Sequence, residues 1–120
     1  MMWVYTVNDG TLSRGEERIS GGYAGFGPYM NNSAFECVKD SGPLPRGRYK
    51  IGKPFFHPHT KGYTMRLIPD SSNTMCDREG FLIHGDSIVH PGEASHGCII
   101  FPLNVRKHIW ESNDYLLTVR

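Results

Sequence analysis

A chain of 120 residues with 38% hydrophobic residues can bury one core but is too small for two, which predicts a single domain over 1–120. The 13 basic and 12 acidic residues leave a formal net charge of +1, so there is no general attraction to nucleic acid or to an anionic membrane. No segment approaches the roughly 20 apolar residues that cross a bilayer. We expect a monomer that neither binds nucleic acid nor inserts into a membrane.

The first residues predict a β-hairpin. Residues 2–7 place Trp3, Tyr5 and Val7 on one face of an alternating strand, and 8–10 supply a turn. The same residues lack the basic and apolar regions of a signal peptide, which indicates synthesis in the cytoplasm. Export without a cleavable signal, or earlier removal of a leader, stays open.

The other apolar segments are short and lie between glycines and prolines, as is typical of strands. The predicted strands are 48–51, 63–68, 80–84, 98–101 and 115–119. Segment 20–28 is rich in glycine and is predicted to be a surface loop. Such a loop either walls a binding cleft or only turns a corner.

One helix is predicted, from Pro102 to about Glu111, because proline suits the first helical position. The residues that can share its buried face are Leu103, Arg106, Ile109 and Trp110. With six or seven strands, the pattern predicts a mainly β fold, a curved sheet or sandwich with one short helix.

Three cysteines cannot all pair within a monomer, so at least one thiol is free. We interpret Cys37 and Cys76 as small buried side chains. The alternative is a disulfide between them, formed in an oxidising compartment.

The third cysteine belongs to the most informative part of the sequence. An apolar strand ends at His84, and Cys98 opens the next strand after a polar loop. A thiol of ordinary pKa is only a few per cent thiolate at neutral pH, so a nucleophilic cysteine needs a nearby base. We predict that Cys98 is a nucleophile, that His84 is its base, and that they lie within hydrogen-bond reach.

Glycines next to this pair predict how it is supported. The Gly85 carbonyl can hold one ring nitrogen of His84 and leave the other facing the sulfur. Gly97 allows a substrate close to the backbone, where the amides of Gly97 and Cys98 can stabilise an oxyanion.

Three polar neighbours have less specific roles. We predict that Ser95 anchors the turn through hydrogen bonds to the backbone. His96 either lines the pocket and orients the loop or is structural. Asp86 either orients a catalytic or substrate group or is a turn residue.

More distant residues complete the candidate site. Arg48 can grip a substrate carboxylate with its planar fork of donors, and Tyr23 and Tyr63 are candidates for the cleft wall. Packing or surface roles are the alternative for all three. No metal or other cofactor is predicted, although one set of side chains has zinc-ligand chemistry: His84, His90, His96 and Cys98.

The spacing of His84-Gly85 and Ser95-His96-Gly97-Cys98-Ile99 resembles the signature of the L,D-transpeptidase (YkuD-like) catalytic domains. The chain is most similar to one branch, the L,D-transpeptidase effectors of type VI secretion. The segments that carry this narrower resemblance are 3–5, 22–25, 31–32, 42–49, 84–87 and 91–95. Ile100 departs from the general pattern, which often has arginine or asparagine there.

The resemblance implies that Cys98 attacks the bond between the diamino acid and D-alanine of a peptidoglycan stem tetrapeptide. Water as acceptor gives an L,D-carboxypeptidase, a free D-amino acid gives exchange, and a stem amine gives a cross-link. The effector branch also implies delivery to a rival's periplasm, a secretion-apparatus component and a cognate immunity protein. The alternatives are a housekeeping cross-linking enzyme, a metal-dependent peptidase and a non-catalytic peptidoglycan-binding module.

Overall fold

The computed structural model describes residues 2–120. In this range the chain forms ten strands, two short 3-10 turns and one α-helix, so the prediction of a mainly β fold with one helix is confirmed. The elements are β1 Trp3–Thr6, β2 Thr11–Arg14, β3 Glu17–Gly21, β4 Tyr23–Ala24, β5 Gly47–Ile51, β6 Phe55–His57, β7 Lys61–Pro69, β8 Leu82–His84, β9 Ile99–Ile100, α1 Leu103–Glu111 and β10 Leu116–Val119. None of the helices in residues 2–120 has the length and apolar character needed to cross a membrane.

The predicted N-terminal hairpin is present. Strands β1 and β2 pair in antiparallel register, and Gly10 takes a φ of 65° in the turn that joins them. Trp3, Tyr5 and Val7 are fully buried, as their alternation predicts. Strand β10 runs parallel to β1 on its other side, so the first and last strands are neighbours.

The longest strand, β7, pairs with three other strands. Nine strands follow one another in the order β3-β2-β1-β10-β5-β7-β8-β9-β4, and β6 pairs separately with β7. Strand β7 pairs with β5 through Leu67–Pro69 and with β8 through residues 65 and 66. Different parts of β7 thus pair with β5 and β8, and β9 follows β8 in the strand order.

The helix covers the core mostly with the predicted face, and Trp110 on that face is partly buried against the core. Val105, Arg106 and Ile109 are buried, whereas Leu103 is 46% exposed. The prediction for Leu103 was wrong because this residue begins the helix and points away from the sheet. Pro102 lies one position earlier than predicted, at the N-cap.

The prediction of a loop over 20–28 was also wrong in part. Residues 20 and 21 end β3, and Tyr23 and Ala24 form β4 against β9. Glycine at position 22 allows this segment to pack closely against residue 100, since a Cβ on Gly22 would lie 2.2 Å from the Ile100 carbonyl oxygen. Strands β3 and β6 were not predicted.

Cys37 and Cys76 form a disulfide, 39 residues apart in sequence. Our first interpretation, two unpaired buried side chains, was therefore wrong. Cys98 is the free cysteine, and it is half-buried.

Candidate active site

His84 and Cys98 lie on neighbouring parallel strands. His84 is the last residue of β8, and Cys98 immediately precedes β9, which pairs with β8 through Ile83 and Ile99. In this register Cys98 lies opposite Leu82, and alternation along strands puts residues 82, 84 and 98 on one face. Both side chains line a cavity of about 570 Å³.

The His84 imidazole is buried and held through one nitrogen. Its Nδ1 lies 2.8 Å from the Gly85 carbonyl oxygen, which can only accept, so Nδ1 carries the proton and Nε2 is left with its lone pair. Burial lowers the pKa of His84, the Gly85 hydrogen bond partly offsets this, and the nearby Arg106 cation lowers it further. The imidazole is therefore neutral at neutral pH.

The Cys98 thiol is held by the backbone. The Leu82 N–H donates to Sγ at 3.3 Å, in place of the ladder hydrogen bond that a strand carbonyl would accept. Burial raises the pKa of Cys98, while the Leu82 N–H and the Arg78 cation oppose the rise. Within residues 2–120 no hydrogen bond joins the Cys98 and His84 side chains: Sγ accepts from Leu82, and Nδ1 of His84 contacts Gly85.

Ser95 makes three hydrogen bonds from one hydroxyl. Its Oγ accepts from the Gly25 N–H at 2.8 Å and the Gly97 N–H at 3.1 Å, and donates to the Cys98 carbonyl at 2.6 Å. The residue has no exposed surface. These contacts agree with the backbone-anchoring role that we predicted for Ser95.

The same contacts change the candidate oxyanion donors. The Gly97 N–H is already paired with Ser95, and the Cys98 N–H contacts its own sulfur, which lowers the pKa of the thiol. The Cys98 N–H therefore remains the candidate donor of the two. Gly97 has a φ of 137°, and a Cβ on it would lie 2.7 Å from Arg78 Nη2. The positive φ and the close approach of Arg78 and Phe81, 2.8 Å from the same Cβ, together favour glycine here.

Asp86 fastens the loop between His84 and Cys98. Its carboxylate accepts from the Tyr23 hydroxyl at 2.5 Å, the Ser87 N–H at 2.8 Å and the Gly92 N–H at 3.1 Å. The Tyr23 oxygen in turn accepts from the Ala94 N–H at 3.0 Å. Burial raises the pKa of Asp86, but these donors outweigh it and hold the pKa below its usual value.

His96 stands between two cavities. Its ring stacks on Phe26 with 5.5 Å between centroids, and its Nδ1 lies 2.9 Å from the Asp40 carbonyl oxygen. His96 and Cys98 line both the cavity that contains His84 and a second one of about 320 Å³, lined also by Arg78. The nucleophile candidate is thus open to two sides.

Sequence reasoning missed the buried Arg78, and it did not predict what the buried Arg106 binds. Arg106 donates from Nε to the Phe101 carbonyl and from Nη1 to the Gly62 and Tyr63 carbonyls. Arg78 binds four carbonyls on the Cys98 side. No pattern of residues in the sequence predicts such contacts, because every residue has a backbone carbonyl.

The predicted substrate-binding residues lie in different places. Tyr23 borders Asp86, whereas Arg48 lines a separate cavity with Tyr49 and Leu116. Tyr63 lies on β7, and neither Tyr63 nor Arg48 lines a cavity that reaches Cys98.

Metal binding has little support from the geometry. In the described range, 2–120, no three histidine, cysteine, aspartate or glutamate side chains gather closely enough to hold a metal ion. The four side chains of the zinc alternative therefore do not form a cluster.

Solved structures share this fold. The L,D-transpeptidase (Yku) from Stackebrandtia nassauensis aligns with a TM-score of 0.60 and 18% identity, over 99% of this chain and 54% of that chain. An L,D-transpeptidase from Mycobacterium smegmatis aligns with a TM-score of 0.54 and 16% identity, over 99% of this chain and 58% of that chain. The chain thus spans a little over half the length of these proteins. A comparison with curated protein sequences found no match.

These similarities define the class of fold, which is that of the L,D-transpeptidases. The family follows from the sequence: the model of the Tlde1 domain matches residues 18–115. The chain therefore belongs to the Tlde1 domain family. This confirms its resemblance to the type VI effector branch of the L,D-transpeptidases.

Proposed function

We propose that the chain is a cysteine enzyme that cleaves the L-centred bond before D-alanine in peptidoglycan stem tetrapeptides. The observation that carries the proposal is the placement of His84 and Cys98 on adjoining strands at one cavity, with Nδ1 of His84 tied to Gly85. Family membership and the L,D-transpeptidase fold support the substrate class.

The proton transfer begins from a neutral pair. Burial disfavours both the thiolate of Cys98 and the imidazolium of His84, so the proton moves as the sulfur attacks rather than before. Sγ bonds to the carbonyl carbon, Nε2 of His84 takes the thiol proton, and the Cys98 N–H faces the developing oxyanion. Collapse breaks the C–N bond, and His84 returns the proton to the D-alanine amine, which leaves a thioester on Cys98.

The acceptor then determines the product. Water, deprotonated by His84, releases a tripeptide and regenerates the thiol. The amine of a free D-amino acid forms a new amide instead, which is exchange. The two cavities that meet at Cys98 leave room for an acceptor on the side away from the leaving group, which favours both of these reactions.

A tetrapeptide assay tests the chemistry. Purified protein incubated with disaccharide-tetrapeptide, with and without a labelled D-amino acid, should give tripeptide and labelled tetrapeptide by mass spectrometry. Cys98→Ala and His84→Ala should abolish both products, whereas His108→Ala, an exposed helix histidine, should keep them. Turnover that persists in Cys98→Ala would overturn the mechanism, and cross-linked dimers as the main product would favour the housekeeping alternative.

Sacculus binding separates the enzyme from a binding module. A binding module predicts retention on sacculi with no tripeptide release and no preferential alkylation of Cys98. Turnover that a chelator stops would instead favour the metal-dependent peptidase.

We further propose that the protein is an antibacterial effector that acts in a rival's periplasm. Trimming or exchange removes the donor stems that the rival's D,D-transpeptidases use. Expression directed to the periplasm should swell or lyse cells, while cytoplasmic expression should be tolerated. Co-purification from a producing strain should recover the delivery component and the immunity protein, and equal harm in both compartments would contradict the effector role.

A further inference from the structure

Arg78 holds three segments of the chain together beside Cys98. Its Nη1 donates to the Glu36 carbonyl at 2.6 Å and the Pro43 carbonyl at 2.8 Å, and its Nη2 to the Gly42 carbonyl at 2.9 Å and the His96 carbonyl at 3.2 Å. Arg78 is only 8% exposed. The planar guanidinium suits this task because its donors point in fixed directions.

One of these contacts reaches the peptide bond just before the nucleophile. The His96 carbonyl belongs to the peptide bond with Gly97, and Gly97 approaches Nη2 so closely that a Cβ would lie 2.7 Å from it. Arg78 therefore fixes the residue before Cys98, while Ser95 fixes the Cys98 carbonyl.

The disulfide links the segment that carries Arg78 to the segment that carries one of its acceptors, the Glu36 carbonyl. Cys37 follows Glu36, whose carbonyl Arg78 binds, and Cys76 precedes Arg78 by two residues. Cys76 and Asp77 both have positive φ, 56° and 57°, and left-handed backbone costs about 1–2 kcal/mol for a residue other than glycine. The turn that presents Arg78 is thus unfavourable locally and needs support from outside.

We propose that Arg78 is a positioning residue for Cys98 and that the Cys37–Cys76 disulfide keeps Arg78 in place, so that the reactivity of Cys98 depends on this disulfide. Its formation joins two sulfurs and releases two protons and two electrons. A disulfide oxidant such as glutathione disulfide accepts them and becomes two thiols. Where thiols stay reduced, Arg78 is therefore not held in place beside Cys98. In an oxidising compartment the disulfide forms and holds it there.

Alkylation of Cys98 tests the positioning role without substrate. The other two cysteines are paired, so limiting iodoacetamide reports on Cys98 alone. Arg78→Met should raise the midpoint of the pH–rate profile, because Arg78 opposes the rise in the pKa of Cys98, and should lower the rate at pH 7 about three- to tenfold. Arg78→Lys keeps the charge but not the fork and should fall between Arg78→Met and the wild type.

Arg14→Lys is the matched control, because Arg14 lies on β2 and pairs with Asp114, away from Cys98. It should match the wild type. If Arg78→Met fails to fold, Arg78→Lys decides: a wild-type profile and wild-type turnover in that variant would overturn the positioning role.

The role of the disulfide is tested with Cys37→Ser/Cys76→Ser. It should show the slow alkylation of Arg78→Met while keeping near-UV circular dichroism. If the double variant unfolds, the wild type titrated in glutathione buffers replaces it. Alkylation is then read at the Cys98 peptide by mass spectrometry, and Cys98 reactivity is expected to fall before ellipticity does. Simultaneous loss of both signals, or wild-type alkylation in the folded double variant, would overturn the proposal.

The inference rests on the proposed function in one respect only, the effect of Arg78 on turnover. Absence of product from tetrapeptide would overturn the proposed function, while the alkylation profiles would still decide the role of Arg78.

Discussion

Removing the Ser95 hydroxyl should be one of the most costly small changes in this protein. Ser95→Ala leaves three buried groups without a partner: the Gly25 N–H, the Gly97 N–H and the Cys98 carbonyl. Each such group costs about 1–3 kcal/mol. Since some relaxation is possible around a turn, we expect a loss of about 3–5 kcal/mol in the free energy of unfolding, a large part of the roughly 5–15 kcal/mol available to a small domain.

Urea denaturation measures this loss, and Ser71→Ala is the matched control. Ser71 is exposed and makes no hydrogen bond to the residues that the structure describes, so its replacement should change stability by less than about 0.5 kcal/mol. The slope of free energy against urea should be the same in both variants.

Ser95→Ala should also lower turnover under conditions where it remains folded. Its hydroxyl fixes the backbone on both sides of Cys98, and a misplaced nucleophile lowers the rate steeply. A loss of less than about 1 kcal/mol, within the cost of one unsatisfied group, would refute the reasoning that the three bonds act together.

Three further predictions concern the same site. Gly97→Ala should lose about 2–4 kcal/mol of stability through overpacking against Arg78 and backbone strain. Gly92→Ala is also at positive φ but has no neighbour within 4 Å, so it should lose only the cost of the backbone strain. Equal losses of stability in thermal melts would contradict this. Tyr23→Phe should lower stability by about 1 kcal/mol and slow turnover, because Asp86 loses its hydrogen bond from the Tyr23 hydroxyl. Urea denaturation and the tetrapeptide assay measure the two effects. Tyr29→Phe, whose hydroxyl has no partner in residues 2–120, should change neither stability nor turnover. Because burial lowers the pKa of His84, kcat/KM should persist as the pH falls below about 6.5 and should decline only as the pH passes through the lowered pKa. A pH–rate profile with its acid midpoint above about 6.5 would contradict the assignment of His84 as a neutral base.

Local patterns in the sequence predicted the parts of the fold that depend on local interactions. The hairpin follows from the alternation of Trp3, Tyr5 and Val7, because a one-residue slip would expose all three. The candidate pair was found because His84 and Cys98 lie at strand ends next to glycines. In both cases, neighbouring residues contain enough information to define the geometry.

The features that were missed depend on distant partners. Strand β4 has two residues, and only its pairing with β9 makes it a strand. The disulfide joins residues far apart in sequence, and three cysteines do not reveal which two meet. Arg78 binds backbone carbonyls, which have no residue identity to recognise.

Burial of Cys98 and His84 explains why the site rests in a neutral state, and the two buried arginines act on it in opposite directions. Arg78 lowers the pKa of Cys98 and so favours the thiolate, whereas Arg106 lowers the pKa of His84 and so disfavours the imidazolium. Their effects on proton transfer from sulfur to nitrogen are opposed, and burial of both groups tips the balance toward thiol and imidazole. A neutral thiol is a poorer target for oxidation than a thiolate.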